Sequence, residues 1–148
     1  KCSIHMYSHP NATLPRESMF AGIRKSFPVH MVEPRYVVRW GTTKMVKAEL
    51  QLIASALHDE SNQRFVLVSD TCVPLWPFEC MYHFLMSLER SFVETAVSSQ
   101  NFGIYDFPKD YAQELKRNWR KGSQWFVLTR VVAAKIAANM HYYDIFGK

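Results

Sequence analysis

Apolar and polar residues alternate along the chain in two rhythms, one of period two and one near 3.6, and the switches between them lay out its elements. "CSIHMY" at 2–7 has the character of a short strand and ends in the turn-like "SHPN". Pro15, Gly22 and Pro28 punctuate a stretch that reads as loop, and "YVVRW" at 36–40 is a second extended candidate. Gly41-Thr42-Thr43 then opens a helix predicted to run to about His58. Val46, Leu50, Ile53 and Leu57 recur there at spacings of four, three and four, which places them on one face. Either threonine is a candidate cap, because a hydroxyl oxygen accepts an otherwise unpaired first-turn N–H.

"RFVLVS" at 64–69 is a continuous apolar run of strand length, the pattern of a parallel strand covered on both faces. A helix follows from near Pro77, a residue tolerated in a first turn because its missing N–H is not needed there. Phe78, Met81, Tyr82, Leu85 and Leu88 form its apolar stripe, and "SFVET" at 91–95 is a further strand. A polar loop with Gly103 and Pro108 leads to the basic stretch "RNWRKGSQWFVLTR" at 117–130. Inside it "WFVLT" (125–129) predicts a strand, and "RVVAAKIAANM" a helix with Val132, Ile136 and Met140 aligned. This order predicts an α/β fold, a mostly parallel sheet flanked by helices. Ligands of such sheets bind beyond the carboxyl ends of the strands, which singles out 7–9, 69–74 and Glu94.

Composition narrows the picture. The chain has 148 residues, the size of one domain, with 48% hydrophobic and 21% charged residues, which excludes a disordered chain. A formal charge of +5 favours an anionic partner. No apolar run approaches the ~18 residues of a membrane span. The sequence starts at Lys1 without Met or signal and reads as an excerpt, a partial domain over 1–148. Cys2, Cys72 and Cys80 fit neither a zinc spacing nor a C-x-x-C motif, so buried free thiols are expected. Asn11-Ala12-Thr13 is a sequon, relevant only in a secretory compartment.

The common nucleotide-binding and hydrolase fingerprints are absent. His5 and His9 are four apart, a spacing that shares a face only on a helix, and this segment is extended; no metal role is expected for them. No Asp-x-Asp pair offers a divalent-metal clamp. Asp70 suits either a ribose or sugar hydroxyl, or a turn at the strand end. Glu94 suits sugar hydroxyls or a solvated position. The basic stretch leaves three readings open. Lys116, Arg117, Arg120 and Lys121 can track phosphates while Trp119 and Trp125 stack bases. They can be a solvated run ahead of a buried strand. Alternatively tryptophan offers a flat apolar face to a sugar, with charges satisfying its hydroxyls.

Taken together, "VVRWGTTKMVKAELQLIASAL", "NQRFVLVSDTCVPLWPF" and "WRKGSQWFVLTR" resemble the core-2/I-branching β-1,6-N-acetylglucosaminyltransferase family. The likeness is nearest to its plant-type members, with peptide O-xylosyltransferases more distant. The resemblance implies a GT-A-like domain, here incomplete at both ends, and an inverting, metal-independent transfer of a GlcNAc-like sugar from a UDP-sugar to a glycan or glycoprotein acceptor. It implies no cofactor, no nucleic-acid partner, and a Golgi lumenal enzyme held by a membrane anchor outside this chain. Basic side chains replace the metal at the leaving diphosphate, as a fixed cation placed where charge develops lowers the barrier. Carried over by position, Tyr7, Trp40, Asp70 and Cys72 fall on the donor side, Tyr7 standing where animal relatives have an aspartate. Glu94, Ser123 and Trp125 fall on the acceptor side. The catalytic carboxylate is expected beyond Lys148, in a D-E motif this sequence does not include. The alternatives are a non-catalytic sugar- or nucleotide-binding module and a basic nucleic-acid-binding domain.

Overall fold

The computed structural model describes residues 2–13, 17–97, 109–139 and 141–146. Along it run β1 (Ile4–Met6), α1 (Glu17–Ser26), β2 (Val29–Met31), α2 (Thr43–Leu57), β3 (Arg64–Val66), α3 (Phe78–Ser87) and β4 (Phe92–Val93). β5 (Ala96–Val97), α4 (Lys109–Asn118), β6 (Arg120–Lys121), β7 (Phe126–Thr129), α5 (Arg130–Ala138) and α6 (His141–Phe146) follow. Helices and strands mix as the sequence patterns predict.

The direction of the strands is a correction. Of the described pairs, β1 and β2 are parallel, with His5 opposite His30. That pairing needs a crossover connection, which passes through α1. β3, β7 and β4 form an antiparallel sheet with β7 in the middle, Phe65 opposite Leu128 and Phe92 opposite Val127. β5 and β6 pair antiparallel. A mostly parallel sheet is therefore not what these small sheets show. Side chains alternate with period two in either kind of ladder, so an apolar run identifies a strand without fixing its direction.

"RFVLVS" is likewise covered on one face only. Phe65 is buried, whereas Val66 is 47% exposed and Val68 63% exposed. "YVVRW" forms no strand among the described residues. The Tyr36 amide donates to the Tyr7 hydroxyl, which donates back to the Tyr36 carbonyl at 3.1 Å. One phenol thus takes both backbone groups that a neighbouring strand would have used. The strand beside β1 is instead 29–31, just past Pro28 in the stretch that Pro15, Gly22 and Pro28 mark as loop. Nor do the sequence patterns above predict α1, α4 or α6.

α2 begins where expected, but its cap differs. Thr42 takes the extended cap position, yet its hydroxyl donates to the Arg39 carbonyl at 2.7 Å instead of accepting a first-turn N–H. Gly41, with φ of 74°, supplies the left-handed turn that leads in. α2 and α5 cover one face of the three-stranded sheet, burying Ile53, Phe65, Leu128 and Ala133, with Leu57, Phe126 and Val132 packed around them. α3 buries no residue; its first turn rests Phe78 against Phe27, ring centroids 5.4 Å apart.

Two arginines close helix ends. Arg130 donates to the carbonyls of Leu57 (2.8 Å), Asp59 (2.9 Å) and Asn62 (3.0 Å), at and beyond the C-terminus of α2. Arg64 donates to Leu85 (3.1 Å) and to Leu88 at the end of α3. Helix C-termini leave carbonyls unpaired and carry partial negative charge, so cations there are stabilising. Part of the net positive charge is therefore spent inside the fold.

Candidate functional site

Alternation along β3, β7 and β4 turns Phe65 and Leu128 toward the helices and Val66, Val127 and Phe92 the other way. That outer face is the floor of an open cleft of about 470 Å³, lined by Val66, Phe92, Val127, Trp125 and Glu94 among others. Glu94 follows β4. Its carboxylate accepts the Ser123 N–H at 3.0 Å, and the Ser123 hydroxyl accepts the Trp125 N–H at 3.3 Å. The close approach depends on Gly122: a Cβ there would lie 1.8 Å from the Glu94 carbonyl oxygen. The three positions expected on the acceptor side, Glu94 lying 29 and 31 residues before Ser123 and Trp125, thus meet at one end of the cleft. Glu94 is exposed and Trp125 is 41% exposed, so the cleft offers an oriented carboxylate beside an indole and an apolar floor. Such a surface accepts hydrogen bonds from hydroxyls and packs a C–H face.

The four positions expected on the donor side are not gathered in this way. Tyr7 is tied to Tyr36, four residues before Trp40, and Trp40 is 88% exposed. Asp70 sits in a turn closed by the Cys72 N–H to Ser69 carbonyl bond of 3.2 Å, the turn role that its type suits. The Cys72 thiol receives the Ser69 N–H at 3.3 Å and lies 3.4 Å from the Ser69 hydroxyl. Those hydrogen bonds, the side-chain one foremost, hold its pKa below the usual thiol value. Neither this cleft nor the larger one described next is lined by Tyr7, Trp40, Asp70 or Cys72.

The cysteines correct a further expectation. All three are free, but Cys72 and Cys80 are exposed and Cys2 is half-buried, where burial pushes its thiol pKa up. The reason is local: residues 70–80 lie in an exposed loop and a helix start that buries nothing.

Sequence reasoning missed a second cleft, of about 1010 Å³, between β2 and α2. His5 and His30, opposite each other in the parallel pair, stack at 4.7 Å, and His5 Nδ1 lies 2.8 Å from the Ser55 hydroxyl. His58 and Asp59 line the same cleft. The Gln51 side-chain oxygen there is buried without a hydrogen-bond partner. Nothing in the spacing of His5 and His30 signals this; the strand register alone creates it. His9 does not line that cleft, and its ring accepts the Asn11 N–H at 3.2 Å. Among the described residues, no three His, Cys, Asp or Glu side chains converge as metal ligands, and no helix is long and apolar enough to cross a membrane. The sequon residues 11–13 are exposed.

Comparison with known proteins carries the assignment further. No solved structure matches the chain. Glycosyltransferase BC10 of rice (Oryza sativa subsp. japonica) is 41% identical to it over 146 residues, covering 99% of the chain and 35% of that protein. The chain therefore spans about a third of the length of this curated relative. Residues 3–148 match the Core-2/I-Branching enzyme family, the same family that the three sequence motifs resemble. The chain belongs to the Core-2/I-branching enzyme family of glycosyltransferases.

Proposed function

We propose that this chain is the donor-side portion of a GT-A-like glycosyltransferase, with the parallel β1–β2 pair as the start of its nucleotide-binding sheet. It transfers a GlcNAc-like sugar from a UDP-sugar to a glycan acceptor with inversion and without a metal, in the Golgi lumen. The observation that carries its acceptor half is the hydrogen-bonded junction of Glu94, Ser123 and Trp125 at one end of an apolar cleft in a chain belonging to this family. The sugar packs on the Trp125 indole, while Glu94, fixed by the Ser123 N–H, accepts a hydrogen bond from an acceptor hydroxyl. A carboxylate base supplied by polypeptide beyond Lys148 takes the proton of the attacking hydroxyl as UDP departs. Tyr7, Trp40 and the turn carrying Asp70 and Cys72 face the donor.

Titration calorimetry with UDP and UDP-N-acetylglucosamine tests the donor half. Binding of both is expected, weakened about fivefold or more by Trp40→Ala, the loss of an aromatic stacking contact. Salt-sensitive binding of single-stranded RNA with no binding of UDP would overturn the proposal. For the acceptor half, Trp125→Ala in the full-length enzyme should weaken acceptor use far more than donor binding. Equal loss of both would make that side chain a folding element.

A further inference from the structure

One motif of the sequence is not taken up by the transferase site. Of the five asparagines in the chain, only Asn11 has a hydroxyl residue two positions on, Thr13, with a residue other than proline between them, Ala12. That triplet is the acceptor pattern of N-linked glycosylation.

The fold places the triplet where the modification can be carried. Asn11 follows β1 in a tight turn, closed by the Ala12 N–H donating to the His9 carbonyl at 2.9 Å. Pro10 takes the first central position of that turn, which proline's fixed φ suits. The Asn11 N–H donates to His9 Nδ1 at 3.2 Å. His9 thus engages the backbone N–H groups of both residues. No hydrogen bond among the described residues holds the Asn11 side-chain amide or the Thr13 hydroxyl. Asparagine serves turns by hydrogen-bonding its own backbone two residues on, and here its amide makes no such bond, so the turn by itself does not account for it. Asn11, Ala12 and Thr13 are all exposed. The turn is anchored from behind, where the Ser8 hydroxyl accepts from Arg35 Nη1 at 3.1 Å and Tyr7 is tied to Tyr36. A branched sugar on Asn11 Nδ2 therefore extends into solvent without displacing a contact of the fold. None of residues 8–13 lines either cleft, so the sugar leaves the Glu94 cleft open.

We propose that Asn11 carries an N-linked glycan. This rests on the proposed lumenal location, because the oligosaccharyltransferase and its lipid-linked donor act only on the lumenal side of secretory membranes. In the step, Asn11 Nδ2 attacks C1 of the first sugar of a lipid-linked oligosaccharide. The C1–O bond to the diphosphate breaks and its electron pair leaves with the lipid diphosphate. One Nδ2 proton passes to a base of the oligosaccharyltransferase.

The test uses the full-length protein made in eukaryotic cells. Trypsin releases residues 2–16 as one peptide, in which Asn11 is the sole asparagine. Peptide-N-glycosidase in heavy-oxygen water converts a glycosylated Asn11 to an isotope-labelled aspartate, read by mass spectrometry. Label is expected at Asn11, and the wild-type band should run about 2 kDa above that of N11Q. T13A keeps the asparagine yet should lose both label and shift, whereas T13S keeps the hydroxyl and should retain both at lower occupancy. Protection of the domain from protease added to sealed microsomes reads the compartment separately. A protected domain with an unlabelled Asn11 overturns the inference and leaves the lumenal location standing. A digested domain with an unlabelled Asn11 overturns both. Label that persists in T13A does not depend on the triplet and overturns the inference as well.

Discussion

Arg130→Ala should be among the most damaging substitutions outside the apolar core. The guanidinium donates to three carbonyls, those of Leu57, Asp59 and Asn62, at 2.8–3.0 Å. It therefore closes the end of α2 and fixes the loop that leads into β3. Hydrogen bonds from charged donors contribute ~1.5–3 kcal/mol each, but water replaces part of each loss because Arg130 is only half-buried. Taking about 1 kcal/mol per bond gives ~3 kcal/mol for the alanine variant. For a chain of this size that lowers the melting temperature by roughly 10 °C. Arg130→Met separates causes, since it keeps the apolar stem and removes the donors; the same ~3 kcal/mol is expected if the hydrogen bonds carry the effect. Arg130→Lys keeps the charge but not the planar fork and should fall between Met and wild type. Urea unfolding followed by circular dichroism gives all three values, with the m-value unchanged if only the native state is affected. Both Arg130→Ala and Arg130→Met within about 0.5 kcal/mol of wild type would refute the reasoning, because the carbonyls would then be hydrated at no cost.

Three further outcomes are open to measurement. Burial first, and the stacked His30 ring second, hold the His5 pKa below its ordinary value, with Asp59 pulling the other way. The folded chain then binds fewer protons than the unfolded one, so stability should fall as pH drops below about 6.5 and toward the lowered value. His5→Asn should flatten that slope, and an unchanged slope would shift its origin to another group. Cys72 should react with a thiol reagent faster than Cys2, whose pKa burial raises, and Ser69→Ala should slow Cys72 by removing the hydroxyl contact; equal rates for Cys72 and Cys2 would contradict the hydrogen-bond account. Leu128→Ala empties the largest fully buried side chain among the described residues, 1% exposed, and should cost ~3–4 kcal/mol in the same unfolding assay; a cost near that of an exposed residue would place the core elsewhere.

Much of this protein is legible without coordinates. The apolar stripe Val46, Leu50, Ile53 and Leu57 marks α2 almost to the residue, although Val46 stays largely exposed because α2 meets the sheet only with its later turns. "RFVLVS" and "WFVLT" mark β3 and β7, and three motifs in order mark the family. These are local properties: a face or a strand is written in side-chain periodicity, and a motif in residue identity. Sequence resemblance also names Glu94, Ser123 and Trp125, and the fold brings them together.

What the tertiary structure alone decides is pairing. Period-two alternation serves parallel and antiparallel ladders alike, so the antiparallel β3–β7–β4 sheet and its bare outer face follow from how the chain returns, not from its pattern. Tyr36 and its neighbours carry every local mark of a strand, and a single phenol from Tyr7 removes it from the sheet. The basic stretch at 117–130 reads as one charged run, yet Arg130 is turned inward to cap α2 while Arg120 and Lys121 lie exposed on β6, paired with β5. The His5–His30 stack is created by strand register between residues 25 apart. Sequence determined which segments are helix or strand and which chemistry they carry, because those depend on near neighbours. Which residues meet depends on contacts between distant segments, and only the folded chain fixes those.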